Sequence, residues 1–326
     1  TVVKAANWLT HLEYEWESPV WRHWLEFFAG RTRFVRYDER GCGMSDWRKA
    51  GLSPDLWAAD LHAVIEAARP AGPVALLGIS QGASTCIRYA IRHPERVSRL
   101  ILYGGYARGA LRRGTPEAES FRRAMIDLAR VGWGRDNPTF RQVFTSRFIP
   151  GGTPEQLQWF NDLCRKTASG EAVASLLEAR AVVDVTDDLG DVRVPTLVLH
   201  ARDDEVIPLE EGRLLATSIP GAEFVELESR NHILLEHERA WQRFREAVAS
   251  FLMLDPVGAE SVFGALSARE RQVLEHLVQG LSNNEIAERL EISEKTVRNH
   301  LSNLFDKLGV WSRAQAIVFA RDHGFV

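Results

Sequence analysis

The chain has 326 residues and a formal net charge of −4, with 45% hydrophobic and 26% charged residues. This composition is ordinary for a globular protein, and no apolar run approaches the roughly 20 residues that a membrane-spanning helix needs. Three widely spaced cysteines, Cys42, Cys86 and Cys164, fit neither a disulfide framework nor a zinc site. Their odd number and wide spacing indicate a reducing cytosol, and the first residues show no charged segment or cleavage site of a secretory signal. We therefore expect a cytoplasmic protein, and we expect neither a metal nor a cofactor.

Residues 1–254 alternate short β-rich apolar runs with amphipathic helical stretches, which predicts a mostly parallel sheet with helices on both faces. Helical spacing is clearest over 55–68 and 239–253. From 108 to about 191 only helical segments rich in arginine and aromatic residues occur, which predicts an inserted helical cap. The predicted strands cover residues 1–6, 33–38, 74–78, 99–104, 195–200 and 223–227.

A G-x-S-x-G pentapeptide, Gly78-Ile79-Ser80-Gln81-Gly82, follows the third predicted strand and precedes a helical stretch. The pentapeptide alone is weak, but strand, sharp turn and helix in that order are what a nucleophile elbow requires. Downstream, HARDDEVIP places Asp203 and Asp204 at a strand end, and LESRNHILLEHE places His232 after the last strand. The chain order is therefore Ser, Asp, His.

These motifs, with the turn DERGCGMS at 38–45 and the cap, resemble the α/β-hydrolase fold. The resemblance implies that Ser80 is the nucleophile, His232 the general base and Asp204 the group that orients it. Asp204 is preferred because it precedes Pro208 by four residues, and Asp203 is the alternative.

The resemblance also implies an oxyanion hole formed by the backbone amides of Trp8 and Gln81. Many relatives have His-Gly where this chain has Ala6-Asn7, so the sequence leaves the geometry of that loop open. Relatives usually have two antiparallel strands before the strand that begins here at Thr1, and the sequence shows neither.

The length of 326 residues predicts a second domain, because about 150 residues per domain is typical. Strand patterns stop at a Pro- and Gly-containing linker, 255–264, and residues 265–326 read as short helices. Gly280 and Gly309 are placed to end helices in the left-handed conformation. Helix starts are indicated by Ser293 and by three capping-box pairs: Ser267 with Glu270, Ser282 with Glu285, and Ser312 with Gln315.

The third of these helices has two distinct faces. Its apolar stripe consists of Val297, Leu301, Leu304 and Leu308. Its polar face carries Lys295, Arg298, Asn299, Ser302 and Asn303. These side chains are donors and acceptors suited to base edges and phosphates, which indicates a recognition helix.

The segment LSARERQVLEHLVQGLSNNEIAERLEISEKTVRNHLSNLFDKLGVWSRAQAIVFA resembles the LuxR/FixJ-type helix-turn-helix throughout its length. The resemblance implies that Arg298, Asn299 and Ser302 face base edges in the major groove of double-stranded DNA. It places Lys295, Thr296 and His300 nearer the phosphates. Such domains usually bind two half-sites as dimers, so a homodimer is expected.

The DNA-binding segment is not basic overall, because from residue 265 onward eight Lys and Arg residues face eight Asp and Glu residues. We therefore expect weak non-specific DNA binding at physiological salt.

Two functions remain open for the whole chain. One is a transcription regulator whose hydrolase-like domain senses a small ester, lactone or related apolar metabolite, and the other is an active serine hydrolase, an esterase or lactonase, with a DNA-binding tail.

Overall fold

The computed structural model describes residues 1–7, 9–47, 51–254, 263, 266–322 and 325. The chain divides into two compact units, Thr1–Leu252 and Met253–Val326. No helix among the described residues is long and apolar enough to cross a membrane. The first unit contains the strands β1 (Val2–Lys4), β2 (Phe34–Val35), β3 (Val74–Ile79), β4 (Val97–Tyr103), β5 (Thr196–Ala201) and β6 (Glu223–Leu227).

These strands form one fully parallel sheet in the order β2-β1-β3-β4-β5-β6. All six predicted strands are present, and the first two are shorter than predicted. Beyond β2 the chain leaves the sheet, and the carboxylate of Asp38 accepts hydrogen bonds from the Thr10 hydroxyl (2.7 Å) and the Leu12 amide (3.1 Å). The strand order reverses between β1 and β3, which is where α/β sheets bind ligands at their carboxyl ends.

Helices cover both faces of the sheet because β3 and β4 alternate buried apolar side chains between two cores. Ala75, Leu77 and Ile79 belong to one apolar cluster, and Val74 and Leu76 belong to the other. The helices of this unit are α1 (Arg22–Ala29), α2 (Pro54–Ala68), α3 (Gly82–Arg92), α4 (Pro116–Gly132), α5 (Thr139–Phe148), α6 (Pro154–Thr167), α7 (Gly170–Ala181), α8 (Leu209–Ser218) and α9 (Arg239–Phe251).

The cap consists of α4–α7, inserted between β4 and β5 as the sequence predicts. Its buried aromatic residues belong to the same apolar cluster as one face of the sheet. The indole N–H of the buried Trp133 donates to the carbonyl of Cys164 (2.8 Å), and the Phe144 ring meets Trp133 edge-on at 5.1 Å. The buried hydroxyl of Thr145 is hydrogen-bonded to Asn161 (3.0 Å), which joins α5 to α6.

A buried ion pair joins the cap to the part of this unit that contains the sheet. Arg180, on α7, donates to the carboxylate of Glu39 at 2.8 Å, and both side chains are at most 5% exposed. The Arg180 guanidinium also lies 3.3 Å from the centre of the Trp57 ring on α2 and donates to the carbonyl of Gln81 (3.2 Å). Burial raises the pKa of Glu39, although the charge and hydrogen bond of Arg180 oppose that shift.

The second unit contains α10 (Ala268–Val278), α11 (Asn283–Leu290), α12 (Glu294–Leu308) and α13 (Arg313–Asp322). The capping boxes at Ser267 and Ser282 form in both directions, and Gly280 and Gly309 have φ of +86° and +66°. At the start of α13 the Gln315 side chain accepts from the amide of Trp311 (2.8 Å) and not from that of Ser312. In this predicted capping box, the Gln315 side chain therefore accepts from the residue before Ser312.

We expect Arg180→Met to lower the free energy of unfolding of the first unit by about 3–5 kcal/mol, because it leaves Glu39 buried without its partner. The double variant Glu39→Leu/Arg180→Met should recover most of this loss, since no lone charge remains. Urea unfolding measures both. Arg123→Met, which breaks an exposed pair with Glu119 on the same cap, is the matched control and should cost no more than about 0.5 kcal/mol. An equal loss in Arg180→Met and Arg123→Met would contradict this.

Candidate active site and candidate DNA-binding surface

Ser80 occupies the sharp turn between the end of β3 and the start of α3. Its φ of +52° is unusual for a residue with a side chain, and its amide is tied to the carbonyl of Tyr103 on β4 (2.9 Å). Gly78 is required at the base of the turn, because a Cβ there would lie 2.7 Å from the backbone of Ala83. The strained strand–turn–helix geometry is that of a nucleophile elbow.

His232 and Asp204 are joined by a short hydrogen bond. Nδ1 of His232 lies 2.6 Å from Oδ2 of Asp204, and both side chains are 1% exposed. The other carboxylate oxygen of Asp204 accepts from the amides of Val206 (2.7 Å) and Ile207 (3.0 Å). Of the two aspartates that the sequence leaves open, Asp204 therefore contacts the histidine, whereas Asp203 is exposed.

The pKa of Asp204 is below its ordinary value because its partners outweigh its burial. Burial alone would raise it, but the charge and hydrogen bond of His232, the charge of His200 and the amide of Ile207 lower it. His200 is fully buried, with Nε2 3.8 Å from the Asp204 carboxylate and 3.0 Å from the carbonyl of Ile207. Burial lowers the pKa of His200, although the charge of Asp204 and the bond to Ile207 oppose that shift.

Ser80 and His232 line the same pocket, together with Gln81. Nε2 of His232, the atom opposite the Asp204 bond, is buried and makes no hydrogen bond with the described residues. The Phe148 ring, at the end of α5, packs edge-on against the imidazole at 5.2 Å, and the Phe148 carbonyl accepts the amide of His232 (2.8 Å). The cap thus contacts the histidine directly.

The structure describes Gln81 but not Trp8, the two predicted oxyanion-hole residues. Gln81 follows Ser80 directly and begins α3, and Trp8 lies outside the described residues. Just before Trp8, the buried amide side chain of Asn7 accepts a hydrogen bond from the buried Lys4 ammonium (2.5 Å). Burial lowers the pKa of Lys4. The Ala6-Asn7 departure from the family pattern therefore coincides with a buried polar contact at the end of β1.

Sequence reasoning missed the support behind the histidine loop, which comes from α1. The side-chain N–H groups of His23 and Trp24 both donate to the carbonyl of Leu234, each at 3.0 Å. Leu234 is two residues beyond His232, so these bonds fix the loop that carries the imidazole. Burial lowers the pKa of His23 to about 4, although its bond to Leu234 opposes that shift.

The polar face of α12 is open to solvent, as its sequence predicts. Lys295, Arg298, Asn299, Ser302 and Asn303 are exposed, and Thr296 and His300 are half-buried. The apolar stripe on the opposite face is buried against Leu274 and Ile286. Two polar groups have partners within the helix: Arg298 pairs with Glu294 (2.9 Å), and the Thr296 hydroxyl bonds to that of Ser293 (2.8 Å).

The six-stranded sheet, the elbow and the helical cap define the first unit as an α/β-hydrolase. Residues 25–239 match the family model described as serine aminopeptidase, S33, and the chain belongs to this family of α/β-hydrolases. Residues 264–320 match the model described as bacterial regulatory proteins, luxR family, so the chain also carries a LuxR-type DNA-binding domain. Both predicted resemblances and the predicted fold class are confirmed.

Individual relatives match one part of the chain or the other. The AB hydrolase superfamily protein YisY of Bacillus subtilis is 30% identical over 222 residues, 67% of this chain and 81% of that protein. The spore germination protein GerE of Bacillus subtilis is 60% identical over 53 residues, 16% of this chain and 72% of GerE. The crystal structure of the enol-lactonase from Burkholderia xenovorans LB400 superposes with a TM-score of 0.62 at 25% identity, covering 77% of this chain and 90% of the enol-lactonase.

The low pKa of His23 predicts a pH-dependent stability. As the pH falls below about 6.5, the unfolded chain takes up this proton first, and the folded chain takes it up only near pH 4. The stabilisation is complete above about pH 6.5 and is lost down to about pH 4, by on the order of 2–3 kcal/mol. Denaturant unfolding at several pH values should show a shallower decline in His23→Gln than in the wild type. His93→Gln, at the end of α3 and away from this pair, should keep the wild-type slope, and equal slopes in all three proteins would refute the assignment.

Proposed function

We propose that this protein is a transcription regulator whose hydrolase unit senses a small ester, lactone or related apolar metabolite. The observation that carries the proposal is a nucleophile elbow and a His232–Asp204 pair, placed around one pocket, in the same chain as a LuxR-type domain. The elbow and the pair suit a carbonyl compound, because such groups are arranged for attack on an ester carbon. Ligand in this pocket would alter DNA binding.

The DNA-binding half of the proposal rests on α12. In the major groove Arg298, Asn299 and Ser302 would contact base edges, with Asn303 beside them on the same exposed face. Lys295, Thr296 and His300 would contact the phosphates.

A homodimer on two half-sites is part of the proposal. Trp311 and Val318 are 88% and 56% exposed at the start of and along α13, and they line one apolar depression. A second copy of this chain would cover these side chains.

We expect Arg298→Ala to weaken binding to the preferred operator by about 1–3 kcal/mol per half-site, because it removes a base contact. Lys295→Ala is the matched comparison. It should weaken binding to all sequences alike and reduce the slope of log affinity against log salt by about 1. Mobility shifts with a duplex selected from a random library, and with unrelated duplexes, separate the two effects. A shift unchanged by Arg298→Ala would refute the groove contact.

A second candidate, an active serine hydrolase, is favoured by the 2.6 Å bond between His232 and Asp204. Oγ of Ser80 would attack the ester carbon while its proton passes to Nε2 of His232, and Asp204 would stabilise the imidazolium. The ester C–O bond then breaks and the alcohol leaves with that proton. Water activated by His232 hydrolyses the acyl-serine, and the amides of Gln81 and Trp8 would hold the oxyanion.

A panel of short acyl esters and lactones distinguishes the two candidates. If the protein is a hydrolase, Ser80→Ala should lower product release by about 10⁴-fold or more, whereas Ser98→Ala on β4 should not. An ester that modulates DNA affinity should then act transiently on the wild type and persistently on Ser80→Ala, because only the wild type consumes it. If the wild type releases no product while an ester still changes DNA affinity, the purely sensory function holds. If no ester or lactone binds, the proposal fails.

A further inference from the structure

A pocket under the cap is lined by Ser80 and Gln81 and is rich in arginine. Its cavity volume is about 50 Å³. Four arginines line it: Arg113, Arg122, Arg147 and Arg180. The first three come from the cap and the segment that leads into it, and all three are half-buried.

Most of these guanidinium groups have no acidic partner among the described residues. Arg180 is neutralised by Glu39. Arg113 donates to the carbonyl of Arg108 (2.9 Å), and Arg147 donates to the carbonyl of Glu205, but neither forms an ion pair with a described residue. Arg122 makes neither a hydrogen bond nor an ion pair with any residue that the structure describes.

The carboxylates near this pocket are already engaged. Asp204 is bonded to His232, and Glu205 pairs with Arg230 at 2.7 Å. Glu211 is buried and is bonded to the Arg108 guanidinium (2.7 Å) and to the amides of Ala107 and Arg108. These three arginines therefore form no ion pair of their own with a described residue, although the charges of nearby carboxylates act on Arg113 and Arg147.

This arrangement is costly for the protein alone. Burial lowers the pKa of both Arg113 and Arg122, and the charges of Arg113 and Arg147 lower the pKa of Arg122 further. Partly buried like charges repel one another unless an anion lies between them. A carboxylate is well matched to such a group, because guanidinium pairs with it through two parallel hydrogen bonds.

The rest of the wall is apolar. Met125, Phe144 and Leu177 from the cap, with Val206 and Ile207 from the loop after β5, border the same space. A ligand that fills it would have its reactive carbonyl at Ser80, an apolar middle and a negative charge at the arginines.

Resting on the proposed function, we infer that the ligand of this unit is an ester or lactone that also carries a carboxylate, bound by Arg122 together with Arg113 and Arg147. Neutral esters of the same length would fill the apolar part and leave the three charges uncompensated.

The test uses matched ester pairs and the full chain with Ser80→Ala, so that binding is measured without turnover. Monoethyl adipate is compared with ethyl hexanoate, and monoethyl suberate with ethyl octanoate, by isothermal titration calorimetry. We expect the anionic member to bind at least about tenfold more tightly, and a rise in ionic strength from about 0.05 to 0.5 M to weaken it alone. Arg122→Gln should remove about tenfold of the preference. Arg123→Gln, the exposed neighbour on α4, should keep it.

Each outcome decides the matter. An anionic preference that disappears in Arg122→Gln and survives in Arg123→Gln supports the inference. If the neutral esters bind as tightly as the anionic ones, the inference is overturned and the proposed function stands. If no ester of these pairs or of the wider panel binds, both are overturned.

Discussion

The buried pair of Arg180 and Glu39 sets the geometry on which the rest of the hydrolase unit depends. Arg180 belongs to the last cap helix, yet its guanidinium contacts the loop after β2, the Trp57 ring and the carbonyl of Gln81 beside the nucleophile. A charge so deeply buried is tolerated only with a partner in good geometry, which restricts where α7 can lie. The cap helix α7, which borders the pocket, is therefore positioned by contacts with residues beside the nucleophile elbow.

The loop that carries His232 is also held in place by contacts with distant parts of the chain. The amide of His232 is tied to the cap through the Phe148 carbonyl, and its loop is tied to α1 through Leu234. The imidazole is thus held from the cap, from α1 and from Asp204. Its Nε2 makes no hydrogen bond with the described residues, and His232 lines the same pocket as Ser80. Such preorganisation suits either catalysis or tight recognition of a carbonyl compound.

Local patterns in the sequence were sufficient for much of this. Short β-rich apolar runs between amphipathic helical stretches predicted all six strands, and G-x-S-x-G predicted the sharp turn at Ser80, whose base requires glycine. What the sequence could not supply is pairing across long separations. His23 lies 211 residues from Leu234, and Arg180 lies 141 residues from Glu39. Nor could it show that arginines scattered through the cap share one pocket, since no spacing rule links them.

The ion pair between Arg298 and Glu294 has a consequence for how the protein searches DNA. An exposed pair of this kind is worth only about 0.3–0.5 kcal/mol, whereas a good bidentate contact to a base is worth about 1–3 kcal/mol. In the proposed groove contact the exchange of partners would be favourable at a cognate base, and at other sequences the arginine would return to its neighbouring carboxylate. In a domain with no surplus of positive charge, this competition would shorten the dwell time on random sequence. The time saved is available for sampling other sites.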